Sequence, residues 1–409
     1  MKKYNFFELS EEEFQGFIEE HEQKHFMQTK YMNEYYKLKG KDTYILGVKR
    51  SNKIVAAGLI YLESTYKKYK KFAIYRGFVM DYNNEELLKY ITEQTVLFLK
   101  SKGAYLFTID PNIIEVERDS DANIIENAKD NYKVIDQLKK IGFEKSEEDI
   151  QMKWTYVLDI NEKTSDELFK TFKQNTRNII NRTINKYKLN VRTLTYDQLE
   201  EFKTITEDTS DRRGFKDKSL EYYQNMIKAF KDNVTFKIAE LNCDKYLKVL
   251  NEEKKHTEVK IKEVGKNNRK KDSYLKELES INKKIEETNK LKEEKGNIIP
   301  LSCAMFVLYG NEVIYFSSGS YKEYKQYYGQ YIIQWEMIKH ACENKYKRYN
   351  FYGIMDIFNK NGKDYGVYEF KKGFNGYVEE LLGEYFYVIN KKIYKQHKLR
   401  EKIKKLLKR

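Results

Sequence analysis

Only two prolines, at 111 and 300, occur in the 409 residues, so the loops are not proline-stiffened linkers. Cysteine is nearly as scarce. Cys243, Cys303 and Cys342 are scattered and odd in number, with no CxxC pair. That excludes a disulfide framework and fits a reducing cytoplasm. No stretch approaches the ~18 apolar residues that a membrane span requires. The N-terminus, MKKYNFFELSEEEFQGF, turns acidic before any long apolar run, unlike a signal peptide. The expectation is a soluble protein, cytoplasmic, or at most peripheral at the inner face of a membrane. The histidines, His21, His25, His256, His340 and His397, do not cluster with cysteines or acids. His21 and His25 share a helix face but lack the HExxH pattern, so no metal site is expected. GxSxG, Walker A and GxGxxG patterns are missing too, which argues against a familiar cofactor cradle.

What is present is charge and aromatic bulk. The formal charge of +14 favours a polyanionic partner: nucleic acid, an anionic membrane face or a phosphorylated substrate. A codon-driven bias toward Lys, Tyr and Asn would give the same charge with no such partner. The 36 tyrosines and 23 phenylalanines are enough to fill substantial cores, and the length allows two domains or one with an insertion.

Residues 6–20 carry an apolar stripe and a Ser10-x-x-Glu13 capping box, so a helix begins there. TYILGVK, KIVAAGLIYLE and FAIYRGFVMDY then read as strands, NNEELLKYITEQTVLFLKSKG as a helix and AYLFTIDP as a strand. The order recurs. WTYVLDI is a strand, 164–187 a long basic helix, and VTFKIAELN, PLSCAMFVLY and EVIYFSSGS are strands. YGQYIIQWEMIKHACEN is a helix, and one closing strand is expected in YVEELLGEYFYVI. This is an α/β (α+β) layout with an internal duplication.

Between VTFKIAELN and PLSCAMFVLY lies an interruption rich in Lys and Glu. Leu247, Leu250, Lys254, Thr257, Ile261 and Val264 step by threes and fours, GKNN breaks the run, and Tyr274, Leu278, Ile281, Ile285, Thr288 and Leu291 resume it. The pattern predicts an antiparallel coiled-coil hairpin over 245–296 inserted into a sheet. A solvated spacer or dimer contact would show the same charged faces as an arm that touches a polyanion.

Two further stretches carry chemistry. QYYGQY at 326–331 sits at a strand–loop–helix corner like the one where GNAT acetyltransferases bind the CoA pyrophosphate, but Tyr331 is too bulky for that loop. YGVYEFKKGFNG, at 365–376, follows NFYGIMD and places Lys371 and Lys372 among aromatics and glycines. Read as an extended strand, it points the two lysines to opposite faces.

Taken with HFMQTKYMNEYYKLKGKDTYILGVK, YRGFVMDY, LFTIDPNI, FKQNTRNIINRTINKYKLNVR, YLKVLNEEKK, QYIIQWEMI and GVYEFKKGFNGYVEELLGEY, these stretches resemble the Fem-type peptidoglycan bridge-forming aminoacyltransferases. The resemblance is strongest to the FemA/FemB branch and runs over nearly the whole chain. It implies two GNAT-like domains, 1–153 and 154–244 with 297–390, the arm at 245–296, and a basic C-terminal helix at 391–409. It also implies that an amine of a peptidoglycan precursor attacks the ester of an aminoacyl-tRNA, with no cofactor. Glycine is the usual donor residue of the branch, so glycyl-tRNA is the expected partner, with alanine and serine as competitors.

By position, the resemblance assigns stabilisation of the intermediate and of the tRNA end to Lys371, beside Phe370. Asp110 matches a carboxylate that organises the site; at an ordinary pKa it is too weak a base for an ammonium near pH 7. The precursor diphosphate falls to Lys37 or Lys39 and to Lys218, which stands where arginine is usual and lacks its bidentate geometry. Tyr222 and Tyr315 match aromatics lining the same cleft. Arg177 and Arg182 on the basic helix are candidate tRNA contacts. The amphipathic KKIYKQHKLREKIKKLLKR suits anionic lipid, RNA or a frayed helix. A CoA-dependent acetyltransferase and a non-catalytic RNA-binding protein are the competing functions.

Overall fold

The computed structural model describes residues 3–265 and 267–407; Lys266 of the predicted GKNN break and the last two residues of the basic tail lie outside it. In chain order the first half contains β1 (Asn5–Glu8), α1 (Glu11–Glu20), α2 (Lys30–Leu38), β2 (Thr43–Arg50), β3 (Lys53–Tyr66) and β4 (Tyr69–Tyr75). There follow β5 (Val79–Met80), α3 (Glu85–Ser101), β6 (Ala104–Asp110), β7 (Ile114–Glu117), α4 (Tyr132–Lys140) and β8 (Phe143–Lys145). The second half opens with β9 (Trp154–Asp159), α5 (Ser165–Thr171), α6 (Gln174–Asn185), β10 (Asn190–Thr193), α7 (Leu199–Arg213), α8 (Leu220–Phe230) and β11 (Val234–Asn242). The arm is α9 (Cys243–Glu263) and α10 (Asn268–Lys295). Then come β12 (Ile298–Tyr309), β13 (Glu312–Ser320), α11 (Gly329–Glu343), β14 (Arg348–Gly353), α12 (Tyr365–Lys372), β15 (Tyr377–Leu381), β16 (Tyr385–Val388) and α13 (Lys391–Leu407).

Local signals account for many boundaries. The Ser10 hydroxyl accepts from the Glu13 N–H at 3.1 Å, and the Glu13 carboxylate accepts from the Ser10 N–H at 3.1 Å. This reciprocal cap starts α1 at residue 11, and the aromatic pair before it pairs with β2 as a strand instead of joining the helix. The predicted helix 164–187 is divided at Phe172–Lys173 into α5 and α6. In the arm every predicted seam residue is buried or half-buried, with Leu250, Thr257, Ile281 and Thr288 innermost. At its root Lys186 of the α6 C-cap pairs with Glu253 at 2.8 Å, and Tyr246 packs edge-on against Tyr187.

The strands form two sheets, in the orders β1-β2-β3-β4-β6-β16-β8, with β5 beside β3, and β10-β11-β12-β13-β14-β9-β15-β7. The halves exchange strands, so the boundary expected at 153/154 does not follow the sheets. β16 sits between β6 and β8 of the first sheet, and β7 forms an edge of the second. The single closing strand expected in YVEELLGEYFYVI is in fact β15 and β16, one in each sheet. Gly383, at φ +73°, makes the break between them. Phe14, Phe26, Tyr35 and Tyr75 from the first half pack in one core with Phe202, Tyr223, Phe230 and Phe236 from the second.

The duplication shows most clearly at two parallel pairs, β4 with β6 and β13 with β14, each joined through a helix. β4 pairs with β6 from Lys70–Ala104 to Tyr75–Asp110. β13 pairs with β14 only from Glu312–Arg348 to Ile314–Asn350 and then diverges from it. The first wedge is closed and the second is open.

Candidate active site

A cavity of about 490 Å³ lies between the diverging ends of β13 and β14. Its lining includes Ser302, Tyr315 and Gln330, with Phe370 and Lys371 from α12. Arg212, Arg213, Phe215, Lys325 and Tyr328 add a cationic and aromatic rim. Gln330 braces the interior, donating to Gly319 O at 2.8 Å and Cys303 O at 3.0 Å and accepting from the Tyr315 hydroxyl at 3.1 Å. The Ser302 hydroxyl is buried without a hydrogen-bond partner.

The segment expected as a strand at 365–372 is a helix. Its aromatic and glycine content suggested extended chain, yet Tyr368 and Lys371 repeat at helical spacing and are both buried. Gly376 is fixed by close approach, because a Cβ there would collide with the Val157 carbonyl oxygen. Lys371 and Lys372 therefore lie on adjacent flanks of a helix, not on opposite faces of a strand. Lys372 is held by Asp121 and Glu369.

Lys371 is 4% exposed and has no carboxylate partner among the described residues. Its Nζ donates to Gly353 O at 2.6 Å and Tyr352 O at 3.3 Å, and lies 5.8 Å from the centre of the Tyr315 ring. Burial pushes its pKa down to about 7. A lysine in this setting exchanges a proton near neutrality, serving as a base when neutral and as a cation once protonated. Phe370 meets Tyr331 edge-to-face at 4.8 Å, so the bulky residue of the QYYGQY corner supports α12.

Asp110 lies outside this cavity. It closes the other wedge, pairing at 2.8 Å with Arg76, both side chains almost wholly buried. Burial raises the Asp110 pKa and the guanidinium opposes that shift. Arg76 also donates to Met152 O at 2.7 Å and lies within hydrogen-bonding reach of the Tyr352 side chain. Tyr352 has φ +62°, an uncommon conformation for a bulky residue, and its carbonyl accepts from Lys371. Asp110 thus reaches Lys371 only through Arg76 and Tyr352. A smaller cavity of about 190 Å³ beside Arg76 is lined by charges of both signs, including Arg348 against Glu312 and Glu379.

The remaining candidates divide. Lys39 lies 5.9 Å from the Tyr35 ring, Tyr35 meets Tyr222 edge-on at 5.6 Å, and Lys218 lies 5.7 Å from the Tyr222 ring. Two exposed lysines, one just after α2 and one just before α8, thus flank one tyrosine pair, whereas Lys37 is paired with Glu11. Tyr222 and Tyr315 do not line one cleft. Tyr222 packs against the core between the two halves, and Tyr315 against the core on the other face of the second sheet. Arg182 is exposed and lies 5.4 Å from the ring of Tyr328 at the cavity rim. Arg177 donates to Lys170 O at 2.5 Å and to Gln174 on its own helix. Sequence reasoning missed Arg212, Arg213, Ser302 and Tyr352; a signal was available only for the arginine pair, the two adjacent charges that open the stretch RRGFKDKSLEYY at 212–223.

The FemAB family model matches residues 9–402. Proteins named aminoacyltransferase FemA, from Staphylococcus aureus strains bovine RF122 / ET3-1 and MW2, are 31% identical over 420 residues, covering 98% of this chain and 99% of theirs. The crystal structure of FemX superposes with a TM-score of 0.74 at 22% identity, covering 96% of this chain and 99% of that one. A tandem GNAT protein from the clavulanic acid biosynthesis pathway reaches 0.51 at 7% identity, covering 94% and 98%. The expected architecture of paired GNAT-like units agrees with both folds. By sequence over almost its whole length, the chain belongs to the FemAB family.

Proposed function

We propose that the protein is an aminoacyltransferase that moves an amino acid from aminoacyl-tRNA to an amine of the peptidoglycan precursor. The acceptor is the stem peptide or the growing interpeptide bridge, and the donor is glycyl-tRNA. The observation that carries this reading is Lys371: a buried lysine with no carboxylate partner among the described residues, facing a cavity with a cationic rim.

The ester of the donor is already activated, so positioning and oxyanion stabilisation are the main demands on the site. Arg182, Arg212 and the arm hold the phosphates of the tRNA, and its aminoacylated end enters the open wedge. Lys39 and Lys218 hold the precursor diphosphate. The neutral acceptor amine attacks the ester carbonyl, and Lys371, uncharged on arrival, takes the proton that the nitrogen loses. It is then the cation beside the oxyanion. Collapse of the intermediate forms the amide, and Lys371 returns the proton to the departing ribose oxygen. Asp110 and Arg76 fix Tyr352, and through its carbonyl the position of Lys371.

The test is precursor mass after incubation with tRNA charged separately with glycine, alanine and serine, for wild type and Lys371→Ala. A gain of one glycine residue, lost in the variant, is expected. A gain with alanine or serine alone would overturn the donor assignment. Undiminished transfer by the variant would overturn the role of Lys371.

A further inference from the structure

α13 carries chemistry that the transfer cavity does not use. Its inner side is anchored: Ile393 is buried, His397 packs against Tyr66 at 4.9 Å, and Arg400 lies 5.7 Å from the same ring. Its outer side is uncovered. Leu399, Ile403 and Leu406 follow at helical spacing and are 60%, 48% and 70% exposed, with Leu407 beside them at 82%. At about 100° per residue the first three fall within an arc of about 60°, and Lys395, Lys398 and Lys402 form an exposed row alongside it. Residues 391–409 contain ten lysines and arginines against one glutamate. Among the described residues no helix is long and apolar enough to cross a membrane.

We infer that α13 is an interfacial helix that seats the protein on an anionic lipid surface. The row Leu399–Ile403–Leu406 enters the boundary between headgroups and acyl chains, and the flanking lysines lie among lipid phosphates. An RNA partner would engage the lysines and leave the leucines in water. A second copy of this chain would bring a like-charged protein of net +14 against a basic helix. A lipid surface uses both features at once. The inference stands on the helix and needs no part of the transfer reaction; if that reaction is as proposed, it presents the site to lipid-linked precursors.

The full chain is sedimented with phosphatidylcholine vesicles containing about 30% phosphatidylglycerol, and with phosphatidylcholine alone. Binding to the anionic vesicles is expected, weakening on going from about 0.1 M to about 0.5 M salt. Ile403→Glu/Leu406→Glu should weaken it at least about tenfold. Because both side chains are exposed, the variant should keep its thermal unfolding profile and its transfer to a water-soluble acceptor. Equal binding of variant and wild type, or no preference for anionic vesicles, would overturn the proposal. So would a tenfold loss of tRNA affinity in the variant with vesicle binding intact, which would reassign the helix to RNA. Failure of transfer alone leaves the vesicle result standing.

Discussion

Replacing Lys371 with methionine tests the central physical claim, that this lysine is held near neutrality by burial. Its folded pKa of about 7 lies well below the 10.5 of a solvated lysine. The whole shift corresponds to about 5 kcal/mol at ~1.36 kcal/mol per unit. The unfolded chain keeps its proton up to about pH 10.5 while the folded lysine releases it near 7. Below pH 7 both states are protonated and the full cost of burying a cation is present. Between pH 7 and 10.5 that cost fades, so wild-type stability rises with pH relative to a methionine variant that has nothing to titrate. From pH 7 to pH 9 the stability difference should move by roughly 2 kcal/mol in favour of wild type. The carbonyls of Tyr352 and Gly353 lose their donor in the variant, but that loss is the same at both pH values. Chemical denaturation of both proteins at the two pH values reads the difference. A change below about 0.5 kcal/mol would mean an ordinary lysine pKa, and the proton-accepting role would fall with it. Activity supplies a second reading: kcat/KM should rise with an apparent pKa near 7 and then level off.

Asp110→Asn strips a buried guanidinium of its counter-charge and should cost about 3–5 kcal/mol of stability by chemical denaturation; an unchanged midpoint would detach Asp110 from Arg76. Lys39→Ala and Lys218→Ala should each raise KM for the precursor several-fold, whereas Lys37→Ala, already committed to Glu11, should not. Equal effects at all three positions would dissolve the pairing across α2 and α8. Arg182→Ala should lower the salt slope of tRNA binding by about 0.7–0.9, with Arg177→Ala near zero, as read by filter binding between low and moderate salt. Gly376→Ala forces a Cβ against the Val157 carbonyl and should lower the melting temperature; a neutral result would mean that the loop shifts freely.

The arm could be read almost residue by residue, because its seam is set by local three- and four-residue spacing that a thin two-helix contact must obey. The capping box at Ser10 was equally local. α12 was misread because its aromatics and glycines favour extended chain, and a neighbouring element decides the outcome: Gly376 packs on β9. The burial of Lys371 has no sequence signature, since the carbonyls that hold this helix residue belong to a separate element, β14. Lys39 and Lys218 meet across tyrosines from α2 and α8, and nothing in either segment announces the other. Family resemblance named many of these residues, but it set Tyr222 beside Tyr315, which the fold places against different cores.

The exchange of β16 into the first sheet has a consequence in time. Its pairing partner β6 is complete at residue 110, but β16 ends at residue 388, 278 positions later. At about 5–20 residues per second, the ribosome leaves that strand edge open for roughly 15–55 s. For that interval the chain carries a row of backbone donors and acceptors without their strand partner, beside an apolar core that includes Phe72, Phe78 and Phe107. A nascent chain that stalls just before residue 377 has most of the protein's residues and neither sheet closed. Synthesis of this protein therefore has a narrow, late point of commitment, and a chaperone that shields a β-edge would act on the first half long before the second exists.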